Sequence, residues 1–384
     1  MRMPDPIDVS LSGKAAGFSC PAAAPLLFMA AAGRGKALAS ACRKTARVVL
    51  PALVVLAMLS RQVLAGENSA VPLPDTISPE AKTVIEFLEG AGLKQLAAPA
   101  PDDLPGWQAL HAGQEKALEE PNRVVLERTG GTVATARIGG VPVLDVRPKG
   151  WTEDNRVVVY IHGGAFTLFS ARSMAGMAAL VAQASGLRVV SVDYTNPPAV
   201  HWDTVQAQVS AVLRAIVADG TPMNRIALFG DSAGGNLAMR AVINLRDEGV
   251  AMPAAVLLFS PWSDLSNSGD TAITLADSDP TLSYEGLLGA SARAYAGTLD
   301  LKDPRVSPLY GDFSGGFPPT MIQDGTRTIL LSTSVRTYRV LKAAKVDVVI
   351  DLYEGMWHVF QGAHAPEARE ALASAGAFLR SHLK

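Results

Sequence analysis

A chain of 384 residues, 48% hydrophobic and with a net charge of −2, is long enough for one large domain with appendages and too apolar to be disordered throughout. The charge is unevenly spread: residues 1–65 hold eight Lys/Arg against two Asp/Glu, and the remainder holds 26 against 34. A basic leader ahead of an acidic body offers no phosphate-binding face, which excludes a nucleic-acid partner.

The leader, residues 1–65, reads as a targeting segment. Arg43, Lys44 and Arg47 precede the twelve-residue apolar run Val48–Leu59, and Val63-Leu64-Ala65 makes a small-residue ending before Gly66. Twelve residues are too few to cross a bilayer but match a signal-peptide core. The pattern predicts a periplasmic or secreted protein that meets the membrane only transiently, through its leader. The stretch ahead of the apolar run is long for a signal peptide, which fits a translation start downstream of Met1 or an extended leader. An uncleaved membrane anchor and a buried helix are the alternatives. Cys20 and Cys42 both precede the cleavage point, so the mature chain would have no disulfide or cysteine metal site. Residues 1–42, rich in Ala, Gly and Pro, are expected to be disordered.

A linker over residues 66–74 leads to Ser78-Pro79-Glu80, which combines a capping side chain, a proline for the first turn and an acid at the positive helix end. Val84, Phe87 and Leu88 continue one apolar face until Gly90. Helical patterning resumes from Trp107 to Leu118. An antiparallel pair of strands is predicted at Arg123–Thr129 and Val141–Arg147, before strand–helix alternation begins.

The chemistry sits in that alternation. The apolar run Val157–Ile161 ends in His162-Gly163-Gly164-Ala165-Phe166, where consecutive glycines let backbone N–H groups approach a ligand closely. A second run, Arg225–Phe229, ends in Gly230-Asp231-Ser232-Ala233-Gly234 and passes into a helical segment. A G-x-S-x-G turn between strand and helix is a nucleophile elbow, a tight turn that lifts the serine hydroxyl above the sheet. The N–H groups of Gly163, Gly164 and Ala233 are the candidate oxyanion donors. Late in the chain, the strand-like run Val346–Tyr353 is followed by His358, placed as a general base for Ser232. Asp231 reads as a structural hydrogen-bond partner and Glu354 as a strand-end residue. No metal spacing, dinucleotide fingerprint or phosphate-loop lysine is present, so neither metal nor cofactor is expected.

These motifs, HGGAF, VDY (Val192–Tyr194), GDSAGG (Gly230–Gly235), DPRVSPLYGD (Asp303–Asp312) and EGMWHVF (Glu354–Phe360), resemble the bacterial hormone-sensitive-lipase-like esterases of the α/β-hydrolase superfamily over residues 124–383. The resemblance implies an eight-stranded, mostly parallel sheet flanked by helices, a helical cap, and cofactor-free hydrolysis of carboxylic esters. Residues 66–122 would then hold the linker and first cap helices. Residues 123–384 would form the hydrolase domain, with a second cap insertion near 271–296, its helix introduced by Asp279-Pro280.

Two departures from that family stand out. Its triad acid belongs where this chain has Thr328, in Asp324-Gly-Thr-Arg-Thr328-Ile-Leu-Leu-Ser332, and threonine cannot ionise. Three outcomes are open: Asp324 has taken over as acid, the enzyme runs as a weakened Ser232–His358 pair, or the fold has become a binding protein. The Arg-Leu-Ala-Pro-Glu that often follows VDY is replaced by Thr195-Asn-Pro-Pro-Ala199, read as a surface loop packed by its prolines. The expected substrate is a small-molecule ester of short-to-medium acyl length, with amide or N-acetyl hydrolysis as the rival. Phe166, Trp202 and Trp357, with Phe169 and Trp262, are the candidate pocket residues. Oligomeric state is left open.

Overall fold

The structure is a computed structural model, and it describes residues 71–384; the predicted leader and the disorder expected for residues 1–42 lie outside the described residues. The backbone is an eight-stranded sheet: β1 Thr132–Ile138, β2 Val141–Arg147, β3 Val157–Ile161, β4 Arg188–Val192, β5 Ile226–Asp231, β6 Ala255–Phe259, β7 Thr320–Gly325 and β8 Val348–Tyr353. Its spatial order is β1-β2-β4-β3-β5-β6-β7-β8. Only the β1–β2 and β2–β4 pairs are antiparallel; every later pair is parallel. The helices are α1 Pro79–Ala91, α2 Leu104–Thr129, α3 Ala175–Ser185, α4 Trp202–Ala218, α5 Ala233–Asp247, the single turn α6 Thr271–Thr274, α7 Gly289–Ala296, α8 Leu331–Ala343 and α9 Pro366–His382. Among the described residues no helix is long and apolar enough to cross a membrane.

The central strands are apolar without interruption because both sheet faces are covered. In β3, Val157, Val159 and Ile161 face the core shared with α4, α5 and α8, while Val158 and Tyr160 face the core shared with α3 and α9. Such sheets place their functional loops beyond the carboxyl ends of the strands. The turns after β3, β5, β7 and β8 carry His162, Ser232, Thr328 and His358.

Two predicted boundaries are corrected. Residues Arg123–Thr129 are the last two turns of α2, and the first strand is Thr132–Ile138. Leu118, Pro121 and Val125 are buried at helical spacing and carry the helix onward, until Gly130 stops it in the left-handed conformation. The strand was hidden because β1 is an exposed edge in which threonine, alanine and Arg137 separate Val133 from Ile138, leaving little apolar contrast. Helix α1 likewise runs past Gly90 to Ala91, and Gly92 makes the left-handed stop.

Helix α1 is anchored at both ends of its capping serine. Ser78 Oγ accepts the Ala81 N–H at 3.1 Å, while its own N–H and hydroxyl donate to Glu367 of α9 at 2.7 and 2.8 Å. The cap contributes about 1 kcal/mol. The buried face of α1, including Val84, Ile85 and Leu88, packs on Met356, Trp357 and Phe360, so this helix braces the loop that bears His358. The start of α2 covers the loop after β3: Trp107 and Leu168 share a cluster with Ala294 of α7.

Candidate active site

Ser232 has φ 52° and ψ −120°, in the left-handed region that side chains rarely occupy. The surroundings enforce it. Its N–H donates to Phe259 O and its carbonyl accepts from Trp262 N–H, both at 2.9 Å, which locks the turn against the end of β6. A Cβ on Gly234 would sit 1.9 Å from Ile161 O, and one on Gly230 would sit 2.3 Å from Gly234 O. The elbow therefore requires glycine at both positions. Ser232 heads α5, where unsatisfied N–H groups and the helix dipole favour developing negative charge.

The loop after β3 is held by several polar contacts. Tyr194 donates to His162 O at 3.0 Å, and its ring stacks on the His162 imidazole at 4.2 Å. The Gly164 carbonyl accepts from Thr167 and Leu168 N–H at 3.1 and 2.8 Å. Asn196 Nδ2 donates to Phe166 O and Leu168 O at 2.9 and 3.2 Å, so the Thr195–Ala199 segment supports this loop through hydrogen bonds as well as prolines. Asp231 accepts from the Tyr160 hydroxyl at 2.6 Å and from Gly163 N–H at 3.0 Å. Burial pushes its carboxyl up to about 6. The expected oxyanion trio is corrected here: the Gly163 N–H is committed to Asp231. The Gly164 and Ala233 N–H groups have no protein acceptor among the described residues.

His358 follows β8 in a loop sewn to the neighbouring turn. Arg327 N–H donates to Met356 O at 2.9 Å, and Gly355 N–H donates to Thr326 Oγ1 at 2.9 Å. The next residue, Val359, donates to Ser260 Oγ at 3.0 Å. Ser260 adjoins Phe259, which receives the Ser232 N–H, so two short hydrogen-bonded links through the end of β6 connect the nucleophile turn to the histidine turn. No direct hydrogen bond joins the Ser232 hydroxyl to His358 in this structure.

Comparisons with known proteins identify the scaffold that carries these residues. A family model described as alpha/beta hydrolase fold matches residues 158–362. An acetyl-hydrolase of Streptomyces hygroscopicus is 33% identical over 273 residues, covering 68% of this chain and 90% of the relative. The crystal structure of esterase E25 superposes with a TM-score of 0.76 at 32% identity, over 85% of this chain and 99% of that one. An esterase described as from the bacterial hormone-sensitive lipase family gives a TM-score of 0.67 at 30% identity, over 80% and 99% of the two chains. The chain belongs to the bacterial hormone-sensitive-lipase-like esterase family. It is an enzyme of the carboxylesterase type on an α/β-hydrolase scaffold.

In this esterase the third position of the triad is where the structure departs from expectation. Thr328 is fully buried, and its hydroxyl accepts Leu330 N–H at 3.2 Å. Asp324 makes no hydrogen bond to the histidine. Its oxygens accept from Ser334 Oγ at 2.5 Å and Gly325 N–H at 2.9 Å, and burial pushes its carboxyl up to about 6. His358 Nδ1 is buried with no hydrogen-bond partner. Desolvation alone pushes the imidazole down to about 3, because no carboxylate supports its charged form.

The esterase also holds a further buried carboxylate, Asp279, whose Asp-Pro pattern in the sequence points only to a helix opener. Asp279 accepts from Thr281 N–H at 2.8 Å and Leu282 N–H at 3.0 Å on one oxygen, and from Ile329 N–H at 2.8 Å on the other. It ties the 271–296 insertion to the residue beside Thr328. Tyr160, Ser260 and Asn196 are likewise positioning residues that no motif singled out; their roles depend on partners 28 to 99 positions away.

The aromatic candidates are mainly packing groups. Phe166 is fully buried, stacked on Tyr295 at 3.8 Å and tilted against the buried Trp262 at 5.5 Å. Trp357 is buried against α1. Phe169 packs beside Trp107 and Leu168. Trp202 opens α4 under the Arg305 guanidinium, 5.3 Å from its ring centre, and lines a cavity of about 510 Å³ to which neither Ser232 nor His358 contributes.

Proposed function

We propose that this esterase cleaves short-to-medium-chain carboxylic esters through an acyl-enzyme on Ser232, with His358 working without a carboxylate partner and the rate held below that of a complete triad. Ser232 Oγ attacks the ester carbonyl and its proton passes to His358. The tetrahedral oxyanion forms against the Gly164 and Ala233 N–H groups. Collapse expels the alcohol, which takes the proton back from His358, and water activated by the same imidazole releases the acid. The observation that carries the reading is the unpartnered His358 Nδ1 beside an otherwise well-supported elbow and oxyanion loop. In a serine protease, replacing the triad carboxylate costs about 10⁴ in kcat, yet the oxyanion hole and binding preserve catalysis well above water.

Amide or N-acetyl hydrolysis is the second reading, favoured by the name of the Streptomyces hygroscopicus relative. A fluorophosphonate probe is expected to label Ser232. A p-nitrophenyl series from acetate to decanoate, run beside p-nitroacetanilide, is expected to show ester turnover falling at the longest chain and little anilide cleavage. Anilide turnover matching the acetate ester would move the assignment to amides. Absence of both labelling and turnover would make this a ligand-binding hydrolase fold. The pattern around residues 43–65 supports export; N-terminal sequencing of the exported enzyme is expected to begin near Gly66, and a full-length chain held in the membrane pellet would rule out cleavage.

A further inference from the structure

A groove of about 480 Å³ runs between α3 and α9, with the end of α2 over it. Its volume falls within the range of small-molecule sites, roughly 300–1,000 Å³. Its apolar floor includes Leu180, Ala184 and Leu372, and its rim carries Arg128, His364, Arg369 and Arg380. No aspartate or glutamate lines it.

Among the described residues no carboxylate pairs with the cations there. Among the described residues neither Arg128 nor Arg369 makes an ion pair with a carboxylate. Of the acids near them in the chain, Glu127 pairs with Arg123 and Glu367 accepts from Ser78, and Glu370, next to Arg369, forms no ion pair with either arginine. His364 Nδ1 is buried without a partner, and desolvation, then Arg128 and Arg369, disfavour a charge on its ring against a smaller opposing pull from Glu80. Arg380 is different, since it donates to Ala184 O at 2.5 Å and closes part of the floor. The cavity at Trp202 also holds arginines, but Asp203 and Glu248 line it with them, and Arg214 pairs with Glu248 there. Of these two arginine-bearing cavities, only the α3–α9 groove has no carboxylate in its lining.

We propose that this groove is a second ligand site, taking a single-chain amphiphilic carboxylate such as a fatty-acid anion. The carboxylate sits between Arg128, Arg369 and His364, where planar guanidinium forks match its two oxygens. The acyl chain lies along Leu180, Ala184 and Leu372. Ser232 and His358 do not line the groove, so the proposal is independent of the catalytic mechanism.

The test is equilibrium dialysis of decanoate with the full-length wild-type protein and an Arg128→Gln/Arg369→Gln variant, with p-nitrophenyl acetate turnover followed in both. One decanoate site should weaken about tenfold or more in the variant, the loss expected on removing charge-assisted hydrogen bonds, while turnover stays unchanged. Leu372→Trp, which fills the floor without altering charge, should weaken the same site. Inorganic phosphate at equal concentration should not displace decanoate, and decyltrimethylammonium should not occupy the site. Equal decanoate affinity in wild type and double variant would overturn the proposal. Displacement by phosphate would reduce the groove to a plain anion site, and equal binding of the cationic amphiphile would show that charge plays no part; either result also overturns it.

Discussion

Asp231 is fully buried and His358 is half-buried with its Nδ1 sealed from solvent, and the fold treats these two titratable groups in opposite ways. Asp231 receives the Tyr160 hydroxyl and the Gly163 N–H, and through them it joins β3, the loop that follows it and the elbow into one rigid body. The inner nitrogen of His358 receives nothing. The half proposed to carry the nucleophile and oxyanion donors is thus tied together by hydrogen bonds, while the proposed base has no partner on its buried nitrogen. A pre-formed hole contributes several kilocalories per mole to the transition state without any reorganisation. A base lacking its acid still accepts a proton, but forms a poorly stabilised imidazolium.

The sharpest way to break the connected half is Ser232→Ala, which should abolish phosphonate labelling and lower kcat by about 10³-fold or more. Next comes repair of the other half. Thr328→Asp puts a carboxylate at the family's acid position, and kcat should rise by about 10²-fold, part of the 10⁴ that such a group is worth in a serine protease. The acid limb of kcat/KM should move with it. A histidine pushed down to about 3 stays neutral through mildly acidic pH, so the wild-type limb lies well below pH 6. The new carboxylate should raise that limb by more than one pH unit; an unmoved limb with unchanged kcat would mean that residue 328 does not face the imidazole.

Gly163→Ala tests the connection itself. A Cβ there would lie 2.3 Å from Asp231 Oδ2, so the loop must shift and the oxyanion donors with it. A fall in kcat of about tenfold to a hundredfold with little change in KM is expected, and equal kcat would show that the Asp231 contact is dispensable. The smallest effect on rate belongs to Asp324→Asn, for which kcat should stay within about threefold because Asp324 bonds to Ser334 and not to His358. Its signature is in stability. A carboxyl pushed up to about 6 in the fold, against about 3.9 in the unfolded chain, stabilises at low pH and loses that contribution as pH rises from about 4 through 6. The variant should flatten that part of a denaturant-midpoint profile, and an unchanged slope would place the titration elsewhere.

Much of this could be read from residue order. The elbow, the double-glycine turn and the late histidine each follow a run of strand-forming residues, and local chain geometry dictates what such turns can do. What escaped was long-range. Gly163 looked like an oxyanion donor until Asp231, 68 positions away, was seen to occupy its N–H. Arg123–Thr129 looked like strand because Val124-Val125 is β-branched, yet burial at helical spacing kept it in α2.

The chain alone determines the hydrolase motifs, the strand–helix alternation and the missing carboxylate at Thr328, because all are properties of residue type and local spacing. Only the tertiary structure decides that Asp324 spends its charge on Ser334, that His358 Nδ1 is left without a partner and that cations gather between α3 and α9. Hydrogen-bond partners and desolvation depend on which distant segments are packed together, and the same carboxylate can support a base or merely hold a turn according to a few ångströms of placement.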